Sequence, residues 1–289
     1  MRRLLTSLGV LSYATTELYA TRTRDNQNLL VYRDTQSGVI FIDDFYVGDM
    51  TYRTGEWHTA PLPAGGTPKG SDEVGDVPRR LATARPFIRG RRVCDFGCGS
   101  GDFMRAAIGI ASGVEGVELE ETARLTLKRE GFQVSDSLDG LDGPFDVVTM
   151  FHVLEHLPSP VAELNEIRNR LVPEGKGTII VEVPHACDAL LSIFECEGFR
   201  DFTLWSQHLV LHTRESLSRL LKACGFRNIK IIGVQRYNLA NHITWLRYGR
   251  AGGHRSALSA LVTRELAQAY ENSLVRLDAT DTLLAIASS

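Results

Sequence analysis

The fold is decided by the stretch Asp95-Phe96-Gly97-Cys98-Gly99-Ser100-Gly101-Asp102-Phe103. It follows an apolar run at 92–96 that predicts a strand, and it opens a segment from 102 to 112 that suits a helix. Glycines in such a turn let the backbone approach a ligand, because they have no Cβ to obstruct it. The sequence therefore predicts a ligand-binding loop at the carboxyl end of a strand.

Two cofactors compete for this loop. The dinucleotide fingerprint requires a third glycine where Asp102 stands, and the carboxylates of Asp95 and Asp102 would repel a pyrophosphate. S-adenosylmethionine has no phosphate and carries an ammonium and a sulfonium, which carboxylates attract. Glu118, at the end of the next predicted strand, is well placed to accept hydrogen bonds from ribose hydroxyls. These features favour S-adenosylmethionine over NAD, with a turn that binds nothing as the third interpretation.

Outward from the loop, strands and helices alternate, which predicts βαβ units. The predicted strands are 92–96, 116–119, 132–134, 145–151, 178–183, 229–234 and 282–287. Amphipathic helices are predicted at 102–112, 120–130, 158–171 and 217–224, and a long one at 258–277. We expect an α/β fold of the Rossmann-like, doubly wound kind, with a mostly parallel seven-stranded sheet, helical insertions and an N-terminal arm.

The chain is expected to form one core with additions. Residues 1–80 are predicted to be an arm or lid, with a short hairpin at 28–45 and a mobile Pro/Gly-rich linker at 61–80. Residues 81–289 are predicted to be the core, with substrate-side insertions at about 186–212 and 236–277. A last strand at 282–287 implies that the chain leaves the sheet and returns to it.

Composition narrows the partners. The 289 residues are 43% hydrophobic and 23% charged, and 32 Lys and Arg against 35 Asp and Glu give a net charge of −3. This balance predicts a small-molecule substrate and no nucleic acid. Five cysteines without a CxxC pair indicate reduced thiols in a cytoplasmic protein. No apolar run reaches the ~18 residues that span a bilayer, so we expect no membrane partner; a homodimer is an open expectation.

The loop at 95–103 resembles the first motif of class I S-adenosylmethionine-dependent methyltransferases. Residues 145–157 (FDVVTMFHVLEHL) resemble the fourth-strand motif of the ubiquinone-O-methyltransferase-like branch, and the similarity continues at 171–175, 182–185 and 205–209. Segments 235–238 and 252–254 resemble a bacterial subgroup of small-molecule and surface-glycan methyltransferases.

The resemblance implies roles for individual residues. Asp95, Gly97, Gly99 and Gly101 would shape the methionine end of the cofactor site, Glu118 would hold the ribose, and Asp136 would contact the adenine amino group. Phe151 would lie near the transferable methyl. The remaining expected cofactor residues are Cys98, Phe103, Leu119 and Ser137.

Several histidines are predicted to lie at strand ends on the ligand side. Methyl transfer to a hydroxyl needs a group that removes a proton, and neutral histidine is available near pH 7. His152 or His185 is the candidate base. Alternatively, a divalent metal is held by His152, Glu155, His156 and perhaps His208, or these side chains only bond to loop backbone. We place His152, His185, Glu155 and His156 in the catalytic group.

The insertions supply the candidate acceptor site. The expected substrate residues are Tyr52, Trp205, His208, Arg236, Tyr237 and Asn241. Mixed aromatic and amide side chains suit a sugar or other polyol, and Arg236 suits a phosphate on it. We expect methylation of a hydroxyl in carbohydrate or natural-product biosynthesis. The alternatives are C- or N-methylation, a metal-assisted O-methyltransferase, and a protein that binds S-adenosylmethionine without activity.

Overall fold

The computed structural model describes residues 1–56 and 71–289, and gives the side chains from residue 75 onward in the second part. The strands of these residues are β1 (Thr16–Ala20), β2 (Val31–Asp34), β3 (Ile40–Ile42), β4 (Arg92–Phe96), β5 (Gly113–Val117), β6 (Gln133–Ser135), β7 (Val147–Phe151), β8 (Thr178–Pro184), β9 (Val210–Leu211), β10 (Arg227–Val234) and β11 (Thr282–Ser288). The α-helices are α1 (Arg2–Ser7), α2 (Asp49–Arg53), α3 (Ser71–Ile88), α4 (Asp102–Ala107), α5 (Glu121–Arg129), α6 (Pro160–Arg170), α7 (Ala189–Ser192), α8 (Glu197–Thr203), α9 (Arg214–Ala223), α10 (Leu239–Tyr248) and α11 (Arg264–Arg276).

Seven strands form the main sheet in the order β10-β11-β8-β7-β4-β5-β6. The neighbours from β8 to β6 are parallel, and β11 pairs antiparallel with both β10 and β8. The predicted fold class is confirmed, including the return of the chain to the sheet in its last strand. Strand β11 is apolar on both faces because it lies inside the sheet rather than at its edge.

Helices cover both faces of the main sheet, as a doubly wound fold requires. Leu164 of α6 and Leu217 of α9 pack on one face with strand residues such as Val148. Ile88 of α3 and Phe103 of α4 pack on the other. The order of the strands leaves the carboxyl ends of β4 to β8 side by side, and this edge carries the candidate site.

A second, antiparallel sheet runs in the order β1-β2-β3-β9. The predicted hairpin at 28–45 is its middle pair. Its edge strand β9 belongs to the insertion at 186–212 and joins this sheet by pairing with β3, where Ile40 lies opposite Leu211. A bridge between His185 and His212 links that insertion to the end of β8. The arm and the insertion are therefore one structure, which local sequence patterns did not predict.

The linker predicted at 61–80 is wrong for residues 71–80, which form the first part of helix α3. Pro78 lies inside this helix, where it lacks an N–H for the helical ladder. The helix persists because Asp76, Arg80, Ala84 and Ile88, spaced four apart, are all buried. The helix also crosses the predicted boundary at residue 80. The rest of the linker prediction falls on 57–70, outside the described residues.

The long helix predicted at 258–277 is also wrong in part. A 3-10 turn at Ala257–Leu261 ends before Thr263, whose side chain caps α11 by accepting from Leu266 N. The predicted helix is interrupted here because Thr263 is a helix N-cap, whose side chain accepts a hydrogen bond from an N–H group in the first turn of α11. The prediction assumed that the regularly spaced apolar residues form one buried face, but Leu261 and Leu277 are exposed.

All five cysteines are free. Within residues 1–56 and 71–289, no helix combines the length and the hydropathy needed to cross a bilayer.

Candidate functional site

The glycine loop leaves β4 and enters α4, and its glycines differ in their surroundings. A Cβ on Gly97 would lie 2.4 Å from Val153 Cγ2, and a Cβ on Gly101 would lie 2.3 Å from Leu127 Cδ2. These two glycines therefore allow close packing inside the protein. A Cβ on Gly99 would meet nothing within 4 Å. The backbone at Gly99 thus faces open space, as a loop that receives a ligand requires.

Two carboxylates follow the neighbouring parallel strands β5 and β6. Glu118 Oε2 accepts from Gly99 N at 2.7 Å, and Glu118 Oε1 accepts from Glu120 N at 2.8 Å. Both bonds orient the carboxylate at the loop. Asp136, one residue after β6, lies 3.0 Å from the guanidinium of Arg53, and this contact lowers its pKa. These carboxylates suit hydroxyl and amine donors rather than a phosphate.

Beneath the loop, Asp95 is buried and accepts from Thr149 Oγ1 at 2.7 Å. Burial raises the pKa of Asp95 to about 6. The rings of Phe103 and Phe151 meet edge to face at 4.9 Å, beside the guanidinium of Arg80. The part of the loop predicted to hold the methionine end of the cofactor therefore lies on closely packed aromatic side chains, with the ionisable carboxyl of Asp95 beneath it.

The other predicted cofactor residues differ in exposure. Cys98 is buried, and burial raises the pKa of its thiol, so it packs against Met104 and Leu127 as an apolar side chain. Leu119 is half-buried, and Ser137 is exposed.

His152 follows β7 in a left-handed backbone conformation with φ of 55°. A residue with this φ other than glycine indicates local strain, which often accompanies a functional site. Its Nδ1 lies 3.0 Å from Glu155 Oε1, and its Nε2 lies 3.3 Å from Arg236 Nη1 and 3.4 Å from Glu182 Oε1. The imidazole is thus held between two carboxylates and one guanidinium.

These neighbours set the protonation of His152. Burial and the charge of Arg236 act to lower its pKa, but the hydrogen bonds with Glu155 and Glu182 outweigh them, so the pKa is raised above 6.5. Burial acts to raise the pKa of Glu155, yet its contact with His152 prevails and holds that pKa at about 2. The pair is therefore an ionised carboxylate that orients a basic imidazole.

Sequence reasoning missed the group that surrounds Glu182. Glu182 is fully buried in β8, where Arg79 and Arg80 of α3 contact it at 2.7 and 2.9 Å. Asp76, also on α3, joins Arg79 to Arg236. A carboxylate inside the apolar strand 178–184 was a usable signal, because a buried charge needs partners. The arginines gave none, because they were assigned to the linker.

A second cluster surrounds His156. Its ring lies 5.0 Å from the ring of His208, 5.7 Å from that of Trp205 and 6.1 Å from that of Tyr52. Burial lowers the pKa of both His156 and His208, so both are neutral near pH 7. The cluster brings together predicted residues from the arm, the fourth-strand motif and the insertion at 186–212.

Glu155, His156 and His208 each offer one atom within 4.8 Å of the others, a spacing that suits a metal ion. Glu155 Oε2 and His208 Nδ1 are buried and have no hydrogen-bond partner among the described residues. Oxygen and imidazole nitrogen fit several divalent cations. His152, the fourth predicted ligand, lies outside this group.

Three more predicted residues form contacts within the protein. His185 is buried, bonds to the carbonyl of Thr280 through Nδ1 at 3.0 Å, and has a pKa lowered to about 4 by burial. Asn241 is buried and accepts from the N–H groups of Gly252 and Gly253 at 3.2 Å, so its side-chain oxygen holds a turn. The backbone N–H of Tyr237 donates to Asp281, and its ring lies beside Arg236.

The comparisons with known proteins agree with this geometry. A family model described as a methyltransferase domain matches residues 71–231, more than half of the chain. This chain belongs to the methyltransferase-domain family. It is of the class I S-adenosylmethionine-dependent kind, so the predicted family, enzyme class and cofactor are confirmed.

Relatives of this methyltransferase are known in sequence and in structure. A ubiquinone biosynthesis O-methyltransferase of Thiobacillus denitrificans is 32% identical over 114 residues, which cover 36% of this chain and 49% of that protein. One from Neisseria meningitidis serogroup C is 33% identical over 101 residues, 30% of this chain and 42% of that protein. The chain thus spans about half the length of these curated relatives.

A solved S-adenosylmethionine-dependent methyltransferase from Archaeoglobus fulgidus aligns with a TM-score of 0.52 at 23% identity, covering 76% of this chain and 96% of that chain. At this identity the likeness concerns the fold.

Proposed function

We propose that this methyltransferase methylates a hydroxyl of a small-molecule acceptor and that His152 is the general base. The supporting observation is the 3.0 Å contact between His152 Nδ1 and Glu155 Oε1, just past β7 and next to the strand that carries the glycine loop. S-adenosylmethionine supplies an electrophilic methyl group in a single displacement, so the protein must align the acceptor and remove one proton.

Proton transfer follows from the contacts of His152. In the neutral imidazole, Nδ1–H donates to Glu155 and Nε2 carries the lone pair. An acceptor hydroxyl that takes the place of Arg236 at Nε2 would give its proton to that nitrogen as its oxygen takes the methyl group, and the methyl–sulfur bond would break to leave the neutral thioether. Ionised Glu155 stabilises the resulting imidazolium, as carboxylates do in other base dyads.

Two acceptor classes are supported by separate observations. A sugar or other polyol is supported by Gln207, whose Oε1 is buried without a hydrogen-bond partner among the described residues, and by the guanidinium of Arg236 beside His152. A ubiquinone precursor is supported by the names of the curated relatives. Turnover on a panel of nucleotide sugars and ubiquinone precursors separates them, and turnover on the precursors alone would contradict the polyol proposal.

Metal assistance is the second mechanism to test. Glu155, His156 and His208 would hold a divalent cation, which would lower the pKa of a bound hydroxyl. To test this mechanism, the activity is measured after exhaustive chelation and again after Mg²⁺ or Zn²⁺ is added back. Calorimetry of the chelated protein with the metal alone measures whether the metal binds. Unchanged activity after chelation and no heat of metal binding would exclude it. Mapping the methylated atom of the product tests O-methylation against C- or N-methylation. If the protein binds S-adenosylhomocysteine but transfers no methyl group, the alternative of a cofactor-binding protein without activity is supported.

The pH dependence tests the base. Because the pKa of His152 is raised, we expect kcat/KM to fall with decreasing pH along a limb centred above 6.5. Glu155→Gln should move that limb to lower pH, because it removes the carboxylate that favours the cation. His152→Gln should lower kcat by about 100-fold or more, with the Kd for S-adenosylhomocysteine within twofold of wild type as the control for folding. Undiminished turnover of His152→Gln would contradict the assignment.

A further inference from the structure

Helix α2 carries two adjacent side chains that reach different parts of the site. Arg53 Nη1 lies 3.0 Å from Asp136 Oδ2, beyond the end of β6. The hydroxyl of Tyr52 lies 3.5 Å from His156 Nδ1, beyond the end of β7. Consecutive residues of a helix point about 100° apart, so a single turn can contact both places.

The two contact points lie at opposite ends of the cofactor site. The relevant strands lie in the order β7-β4-β5-β6, with the glycine loop after β4 in the middle. Glu118 N donates to Ser135 O at 2.9 Å, which sets Asp136, the next residue, near Glu118. Asp136 therefore marks the end away from His152 and His156, where the nucleoside of the cofactor would lie and not its methyl group.

We infer that α2 couples the nucleoside end of the cofactor site to the acceptor end. Arg53 is the positioning residue for Asp136, and Tyr52 connects α2 to His156. The inference rests on the proposed function, because it takes the Asp136 end to bind the nucleoside. Arg53 holds one oxygen of the carboxylate, and a carboxylate has lone pairs for further donors such as an adenine amino group.

The construction of α2 supports this coupling. Gly48 and Gly55, with φ of 90° and 73°, flank the helix. The arm and the core meet at its side chains, since Arg53 contacts Asp136 and Tyr52 contacts His156. Within the arm, Tyr52 also stacks on Tyr46 at 6.3 Å. Arg53 and Asp136 are 39% and 44% exposed, so a ligand can reach them, and a contact of this exposure is worth up to ~1 kcal/mol, or about fivefold in affinity.

Calorimetry with adenosine and with S-adenosylhomocysteine tests the first step. We expect Arg53→Ala to raise both Kd values by about three- to fivefold, and Arg53→Lys to restore part of the affinity because it keeps the charge. Arg22→Ala is the matched control, because Arg22 pairs with Asp201 at 2.8 Å at similar exposure, in the arm. It should leave both Kd values unchanged.

Proton NMR of the His156 ring, assigned by its loss in His156→Gln, tests the coupling itself. Saturating adenosine should shift this resonance in wild type and in Arg22→Ala, although adenosine lacks the methionine part that would approach His156. The shift should be absent in Arg53→Ala at a concentration corrected for its Kd. Unchanged Kd values in Arg53→Ala, or a retained His156 shift, would overturn the inference.

The two proposals fail in different ways. Absence of methyl transfer while adenosine still shifts His156 in wild type would refute the proposed function and leave the coupling standing. Absence of adenosine and S-adenosylhomocysteine binding in wild type would refute both. Intact wild-type binding and turnover, with no response to Arg53→Ala, would refute the coupling alone.

Discussion

At the scale of single residues, the glycine loop shows that one residue type serves two purposes. Gly101 is required by packing, because Leu127 fills the space where a side chain would begin. Gly99 has no such neighbour: its φ of 53° favours glycine, and the open space beside it leaves room for a ligand. The same spacing in the sequence therefore conceals a structural position and a binding position.

Alanine substitutions should separate these two roles. Gly99→Ala, at φ of 53°, should cost about 1–2 kcal/mol in stability but raise the Kd for S-adenosylhomocysteine about tenfold or more, since its methyl group occupies the ligand side of the loop. Gly101→Ala should destabilise the protein by about 3 kcal/mol, because of overpacking against Leu127 and its φ of 81°. Urea unfolding and calorimetry measure both; equal loss of stability in the two variants would contradict this assignment.

At the scale of elements, helix α11 differs from what its apolar residues predicted. Leu274 is 3% exposed and packs with Ala189 and Ala279. Leu266 and Val275 are 40% and 39% exposed. The helix is therefore anchored near its C-terminal end, where the chain turns back into β11.

Truncation of these leucines tests the anchor. Leu274→Ala should lower the free energy of unfolding by about 2–4 kcal/mol, because it leaves a cavity in a closed cluster. Leu266→Ala, a matched change in the same helix, should cost less than about 0.5 kcal/mol. Denaturant midpoints at constant m-value measure both. A larger loss for Leu266→Ala would show that the first turn carries the helix.

At the scale of the whole molecule, the site is assembled from parts that are distant in the chain. The arm supplies Tyr52, α3 supplies Arg79, the fourth-strand motif supplies His152 and His156, and the excursion after β10 supplies Arg236. The small sheet fixes the arm against the insertion that carries Trp205 and His208. Ligand binding should therefore stabilise the whole chain.

Thermal unfolding measures that linkage. S-adenosylhomocysteine at about 100 times its Kd should add ~2.7 kcal/mol to the stability and raise Tm by about 5 °C. NAD at the same concentration should leave Tm unchanged, since Asp102 replaces the glycine that a dinucleotide loop uses. A shift produced by NAD and not by S-adenosylhomocysteine would contradict the choice of cofactor.

The fold and the cofactor loop could be predicted from the sequence because their information is local. Alternating apolar periods determined the strands and helices, and the residues 95–103 and Glu118 stand in fixed relation to consecutive strands. The choice of cofactor also follows from residue types alone, because carboxylates at the loop repel a phosphate and attract a cation. The sequence by itself therefore determined the fold class, the cofactor and the candidate histidines.

Only the tertiary structure decided which side chains meet. The contacts of Glu182 with Arg79 and of Arg53 with Asp136 join residues 103 and 83 positions apart, and nothing in either local pattern selects the partner. The joining of the arm to the insertion in one sheet, and the helix at 71–80, likewise depend on burial against distant elements. Long-range pairing is fixed by packing of the whole chain, which overrides local propensity.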